Sequence, residues 1–359
     1  MPLDRKIFYS MQYNNKPTKL LVVRNDKLGD LLVSFSTFAL LKKNLPNTEI
    51  HVLVSKYTAP IAEMCEFIDH VIIDPISLDH NNKFRSFSLT LKLIKLLQQQ
   101  QYDVVITLFS SFHVGFSVFV AKIPVRITPA TKLAQVFYNH RITQHRSRSE
   151  KPEHRYNQEL AEHLLSQLNI SPFKSVKAPF LTFDSKLNKD LKQEFIDKHN
   201  IPVDHQLVFI HPGSGGSARN LSTEQFSQLA NTLQELSDIT IIISYGPNEA
   251  LPALQVYEKI IGSKVLYESK DGLEKFCQHL QLADCFISGS TGPLHIAGVL
   301  DRPTAGFYTR RRSATSLRWQ TLNSEKNRLA FSPPESSEAE DMSGIDITQA
   351  AKKIAQRFL

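Results

Sequence analysis

The sequence predicts an α/β protein built from two doubly wound domains, each a parallel sheet covered by helices. Three observations carry this. Short β-branched runs alternate with longer amphipathic stretches along most of the chain, the pattern of strand–helix–strand units with right-handed crossovers. The alternation comes as two series, separated near residues 171–185, where SPFKSVKAPFLTF loses helical period and carries two prolines. At 359 residues, with 42% hydrophobic and 21% charged side chains, the chain is long enough for two ordinary domains and apolar enough to bury their cores.

Taken in order, the first series reads as strands at 19–24, 49–54, 70–74 and 103–108, with helices at about 30–44, 57–65, 86–100 and 112–121. A basic helix at about 152–168 leads to the junction. The second series reads as strands at 206–211, 240–245, 264–267, 285–288 and 304–308, with helices at 223–236, 248–261, 272–281 and 292–300. SPPESSEAED is polar and proline-containing, hence a loop, after which Asp346 or Thr348 could cap a last helix ending at Phe358. The expected domains are 1–178, 179–345, and a C-terminal helix at 346–359 that could pack back on the first domain. A ligand is expected in the cleft between the domains, at the carboxyl ends of the two sheets.

Composition excludes several classes. Cys65, Cys277 and Cys285 are an odd count with no CxxC pair, which argues against a disulfide framework or a zinc site and fits a reducing compartment. The N-terminus MPLDRKIFYSMQYNN lacks an apolar h-region, so no secretory leader is expected. No apolar run approaches the roughly 18 residues of a membrane span. The formal net charge is +7, and it is uneven: residues 1–180 hold 23 Lys and Arg against 14 Asp and Glu, residues 181–359 hold 19 against 21. Between Lys122 and Arg148 lie six cations and no acid: Lys122, Arg126, Lys132, Arg141, Arg146 and Arg148. Such a stretch is either a solvated face or a field for an anionic lipid or acidic sugar. Nucleic acid is disfavoured, because no RNP, zinc-finger or helix-turn-helix signature accompanies it.

The chemistry is expected at the strand ends. After the first strand, in LLVVRNDKLGDLL, Gly29 allows a tight turn and Asp30 opens a helix, either as an N-cap or as a carboxylate able to take a proton from an acceptor hydroxyl. Neither GxGxxG nor a P-loop is present. In VFIHPGSGGSARNLSTEQ, the small residues Ser214, Gly215 and Ser217 expose backbone N–H groups, and Arg219 adds a forked cation suited to phosphate. Ser222 or Thr223 then opens a helix, with Glu224 or Gln225 available for a capping box. In FISGSTGPLHIAG, Ser290, Thr291, Gly292 and Pro293 start a helix whose N–H groups could hold a second phosphate edge, while His295 reads equally as a packed core residue. Tyr245 ends the strand before GPNEA, where Glu249 could bond ribose hydroxyls or favour a helix N-terminus. No DxD stands at a strand end, and neither His211 nor His295 has a partner at metal-ligand spacing, so no metal is expected.

RNDKLGD, HPGSGGSARNLS and STGPLHIAGVLDRP, in this order and spacing over about residues 19–310, resemble glycosyltransferase family 9, the ADP-heptose:lipopolysaccharide heptosyltransferases. The resemblance implies a GT-B fold of two Rossmann-like domains and an inverting, metal-independent transfer without a cofactor. The donor would be ADP-heptose and the acceptor an anionic glycolipid, Kdo or heptose on lipid A. It implies Asp30 as catalytic base, and Ser214, Arg219, Glu249, Thr291, Gly292 and His295 as donor contacts. Gly29 and the six cations would serve the acceptor, on a cytoplasmic enzyme at the anionic inner-membrane face. Arg219 stands where Lys is usual and Ser290 where many members have Asp, which leaves another nucleotide sugar open. An NAD-dependent oxidoreductase and a non-catalytic sugar-nucleotide-binding protein are the alternatives from other classes.

Overall fold

The structure is a computed structural model and describes residues 16–78, 83–216 and 219–359. The chain forms two units. The first comprises the described residues up to Arg146 and His154–Val176; the second comprises Ser147–Glu153 and Lys177–Leu359.

In the first unit the elements are β1 (Lys19–Val23), α1 (Leu28–Val33), α2 (Phe35–Asn44), β2 (Glu49–Val54), α3 (Ala59–Glu63), β3 (His70–Ile73), α4 (Lys83–Gln100), β4 (Val104–Thr107), α5 (Phe112–Val120), β5 (Val125–Pro129), β6 (His140–Ile142) and α6 (Glu153–Gln167). Six parallel strands run in the order β3-β2-β1-β4-β5-β6. Strands covered on both faces read as continuous apolar runs, which is why LLVV and VVIT carry no alternation. Leu21, Val23, Leu53 and Val105 meet Leu93 and Leu97 of α4 and Val114 and Val118 of α5 in one core.

The second unit adds α7 (Ser185–His199), β7 (Gln206–His211), α8 (Thr223–Leu236), β8 (Ile239–Tyr245), α9 (Ala250–Lys259), β9 (Lys264–Glu268), α10 (Gly272–Leu280), β10 (Cys285–Gly289), α11 (Gly292–Val299), β11 (Thr304–Phe307), β12 (Arg328–Phe331) and α12 (Ile347–Phe358). Its sheet order, β12-β11-β10-β7-β8-β9, is that of the first sheet read from the other edge. In both units the order reverses between two central strands, β1 and β4 in the first, β7 and β10 in the second. Ligands of open α/β sheets bind beyond the carboxyl ends of such a pair. Ser222 caps α8 through a capping box with Gln225, and Asp346 caps α12 by accepting from Gln349 N–H.

Four features depart from the sequence reading. Strands β5 and β6 run through the basic stretch, which the charge pattern obscured. Helix α7 has only Phe195 and Ile196 buried, too few for a visible period, yet Asp184 caps its start and Asn200, at φ +52°, ends it. β12 lies in the segment 310–345 that carried no pattern. The last helix packs within the second unit. Ile347, Ala350, Ala351 and Ile354 are buried with Phe226, Leu229 and Leu233 of α8, because its apolar stripe completes the second unit's core.

Candidate functional site

The first unit's strand-end cluster begins where β1 stops. Arg24 is 1% exposed, and its Nε lies 3.0 Å from Asp26 Oδ1. Its Nη2 donates to Asp30 Oδ1, and Nη1 to Asn157 Oδ1 of α6 at 3.5 Å. A buried guanidinium holding two carboxylates fixes the loop between β1 and α1. Asp30 is therefore not a cap: the cap position of α1 is Lys27, and no side chain bonds there. Gly29 sits inside α1 with a right-handed backbone, so the tight turn expected of it does not exist.

Beside this lies a group that sequence reasoning missed. Asp74, at the end of β3, accepts from Asn25 Nδ2 at 2.5 Å and from Ile76 N–H at 3.0 Å, and stands 3.1 Å from His113 Nε2 of α5. Burial pushes the Asp74 carboxyl up, but the hydrogen bonds of His113, Ile76 and Asn25 outweigh it and hold it below the ordinary carboxylate value. Asn25 lay within the RNDKLGD motif; Asp74 and His113 gave no local signal, because only the sheet order brings β3 and β4 to the same end.

The six cations differ in setting. Arg126 is half-buried on β5 and donates to the Phe137 and Ile123 carbonyls, the latter at 2.5 Å. Burial lowers its pKa. Arg146 donates to Gln144 Oε1 at 2.8 Å and to the Leu108 carbonyl at 3.1 Å, and lies 5.7 Å from the Tyr156 ring. Both are part-exposed, with their guanidinium groups bonded to protein acceptors. Lys122, Lys132 and Arg141 are exposed on the first unit. Arg148, also exposed, belongs to the 147–153 segment of the second unit, 3.9 Å from Glu150. Lys132 lies over the Phe109 ring at 3.4 Å and shares the field of Asp26 and Arg24; burial, above all, lowers its pKa.

The second unit's site is made of backbone and hydroxyls. Beyond β7 the loop carries Gly215 at φ +51° and Gly216 at φ +71°, left-handed backbone that glycine adopts without strain. Glu249 binds this loop to the next: its carboxylate accepts from Gly215 N–H at 3.0 Å and Gly246 N–H at 3.1 Å, and faces His211 Nε2 at 3.3 Å. A Cβ at Gly213 would run into that carboxyl. Glu249 occupies the cap position of α9 but makes no cap bond, so its work is between loops. His211 Nδ1 lies 3.2 Å from Ser244 Oγ, which continues the network into β8. Arg219 is exposed and makes no hydrogen bond or ion pair with a described residue; Ser214 is half-buried, and Ser217 lies outside the described residues.

Across the sheet, β10 ends at Gly289, where a Cβ would come within 2.6 Å of Asn220 Oδ1, so the two strand-end loops are in contact. Ser290, Gly292 and Pro293 are half-exposed at the start of α11. Thr291 is buried, its hydroxyl 3.0 Å from Ser288 Oγ. His295 is buried, its ring edge-on to Trp319 at 6.2 Å, rather than open at the helix start. Tyr245 is half-exposed at the end of β8. The structure thus brings Ser214, Gly215, Arg219, Glu249 and the start of α11 to the carboxyl end of one sheet.

Among the described residues, Glu49, His51 and His70 form a three-residue group with the spacing of metal ligands, at the amino ends of β2 and β3. That is the opposite end of the sheet from Asp30, and Lys19 already lies 3.6 Å from Glu49. No described helix is long and apolar enough to cross a membrane.

Comparison with known proteins accords with this geometry. The family description "Glycosyltransferase family 9 (heptosyltransferase)" matches residues 90–341. A Haemophilus influenzae protein, whose own assignment as a glycosyltransferase is provisional, is 38% identical over 94% of this chain and 96% of its own length. A family 9 glycosyl transferase from Veillonella parvula shares the fold with a TM-score of 0.78, at 15% identity, over 98% of this chain and 99% of that one. The E. coli heptosyltransferase WaaC, solved with ADP, does so with a TM-score of 0.70, at 18% identity, over 94% and 99% of the two chains.

Proposed function

The chain belongs to glycosyltransferase family 9 and is a glycosyltransferase of GT-B fold; from that premise we propose that it moves a heptose from ADP-heptose to the inner core of a lipid A-linked saccharide. The observation that carries the donor half is the loop of Gly215 and Gly216, which Glu249 ties to the loop after β8, followed by the exposed Arg219 and by Asn220 against the end of β10. WaaC, whose fold this chain shares, holds ADP.

In this reading Asp30 takes the proton of an acceptor hydroxyl as its oxygen attacks the anomeric carbon. The bond from that carbon to the diphosphate oxygen breaks, and ADP leaves with the negative charge. Inversion follows from attack opposite the leaving group. Arg219, Ser214 and the N–H groups of Gly292 and its neighbours would stabilise that charge, so the step needs no metal. Arg24 orients Asp30, and the Asn25–Asp74–His113 group holds the adjacent loop. The acceptor carries phosphates and carboxylates, which suits the exposed Lys122, Lys132 and Arg141 at an anionic leaflet. Ser290 favours a second reading, in which another nucleotide sugar is the donor.

The test is a thermal-shift panel of ADP-, GDP-, UDP- and dTDP-sugars, followed by product mass with lipid A-linked acceptor. Stabilisation by ADP-heptose and a product heavier by one heptose support the proposal. Preference for another donor moves the assignment to the second reading.

A further inference from the structure

We propose that the face formed by α5 and the turn after β5 is a membrane-docking surface that inserts apolar side chains between anionic lipid headgroups. This rests on the reading of a lipid-linked acceptor and names the surface that would meet its bilayer.

Phe112, Phe116 and Phe119 recur at i, i+4 and i+7 and share one face of α5. The Phe137 ring contacts all three, at centroid distances of 5.2, 5.9 and 5.9 Å. The turn of residues 133–137 can lie on the helix because residue 115 is glycine: a Cβ there would stand 2.9 Å from Phe137 Cδ2 and 3.2 Å from the Ala134 carbonyl. Ala134 and Tyr138 then point inward and are buried, while Leu133 and Val136 point out. Leu133 is 86% exposed, Phe112 66%, Val136 64% and Phe119 50%. Isolated exposed apolar residues are ordinary; a contiguous group of large ones on a folded unit marks an interaction surface.

Charge selects the partner. Residues 104–149 contain no Asp or Glu. Lys132 lies over Phe109, Arg126 lies 5.6 Å from the Phe119 ring, and Lys122 is exposed at the end of α5. Apolar side chains ringed by cations fit an anionic bilayer interface. A second copy of this chain fits poorly, since a two-fold contact would set the same cations against each other. Lys132 also shares the field of Asp26 and Arg24, so this face borders the Asp30 cluster, where a lipid-linked acceptor would have to present its sugar.

The experiment is flotation of the full chain with phosphatidylcholine vesicles, with and without phosphatidylglycerol. The wild type and the double variant Leu133→Ser, Val136→Ser are compared. The wild type should float only with anionic vesicles, and less at high salt. The double variant should lose about tenfold or more in partitioning, the scale for two buried apolar side chains. Its melting temperature and its rate on a deacylated, water-soluble acceptor should match the wild type, while its rate on vesicle-borne acceptor falls. Equal flotation of both proteins, or no flotation of the wild type, overturns the proposal. A wild-type dimer that the double variant dissolves would also overturn it, giving the face to a second copy. If both proteins are inactive on every acceptor but differ in flotation, docking stands and the acceptor reading falls.

Discussion

Both units fold six parallel strands in one order, and both gather polar side chains where that order reverses, yet the two strand ends are chemically opposite. The first is made of charged side chains that satisfy one another: Arg24 with Asp26 and Asp30, Asp74 with Asn25 and His113. The second is made of backbone N–H groups on glycines, with one carboxylate, Glu249, binding the loops and one guanidinium, Arg219, left exposed. A paired cluster fixes its side chains in place; the glycine loop is fixed by one carboxylate and leaves its following cation exposed. The same topology therefore carries two different chemistries, and the division lies in the loops rather than the sheets.

The comparison breaks most severely at Arg24. Arg24→Met leaves Asp26 and Asp30 without their cation, and removing one partner of a buried ion pair costs about 3–5 kcal/mol. Thermal unfolding should report a lower midpoint for the first unit. Adding Asp30→Asn to that variant should restore part of the loss, because one uncompensated carboxylate is gone. An additive double variant would show that the pair is not coupled.

Asp30→Asn alone tests the base. It should lower kcat about 10²-fold or more while ADP affinity holds, the scale of general-base loss. Near-normal turnover in a folded variant would leave Asp30 as an anchor for Arg24 and nothing more. In the second unit, Arg219→Ala should cost about 1.5–3 kcal/mol of ADP binding and much less of adenosine binding, read by calorimetry. Equal losses for both ligands would take Arg219 away from the phosphates.

How much of this was legible in the chain differs between the units for the same reason. The second unit's strand-end loops are each contiguous in sequence, so HPGSGGSARNLS and STGPLHIAG announce glycines, hydroxyls and a cation within single stretches. What they conceal is the hold of Glu249, itself read in GPNEA, on Gly215, which crosses from β8 to β7 and needs the register of two strands. The first unit's cluster is assembled from the ends of β1 and β3, from α1, and from α5 and α6, so only its RNDKLGD portion was visible. Asp74, His113 and Asn157 enter through topology. Charge counted along the chain does not show where each cation points: β5 turns Arg126 onto carbonyls at 2.8 and 2.5 Å. The apolar face of α5 was invisible because exposure, not composition, defines it.

The smallest expected effect concerns Glu249, and pH sharpens it. The contact with His211 holds the Glu249 carboxyl below its ordinary value, against the effect of burial and with help from the N–H groups of Gly246 and Gly215. A carboxyl depressed in the folded state stabilises fully above its unfolded value, near pH 4.3, and loses that contribution as pH falls through the depressed folded value. Glu249→Gln cannot ionise and should forfeit about 1 kcal/mol at neutral pH, the scale of one charge-assisted bond in a half-open site. Its second unit should then lose less than the wild type on acidification. The mirror variant, Asp74→Asn, removes the corresponding depressed carboxyl of the first unit. Denaturant unfolding at pH 7 and pH 3.5 should therefore assign each acid-sensitive contribution to its own unit. If Glu249→Gln keeps the wild-type acid response, the loop's order comes from its glycines alone. If phosphate instead displaces the carboxylate from Gly215 N–H, saturating ADP should erase the difference between Glu249→Gln and the wild type.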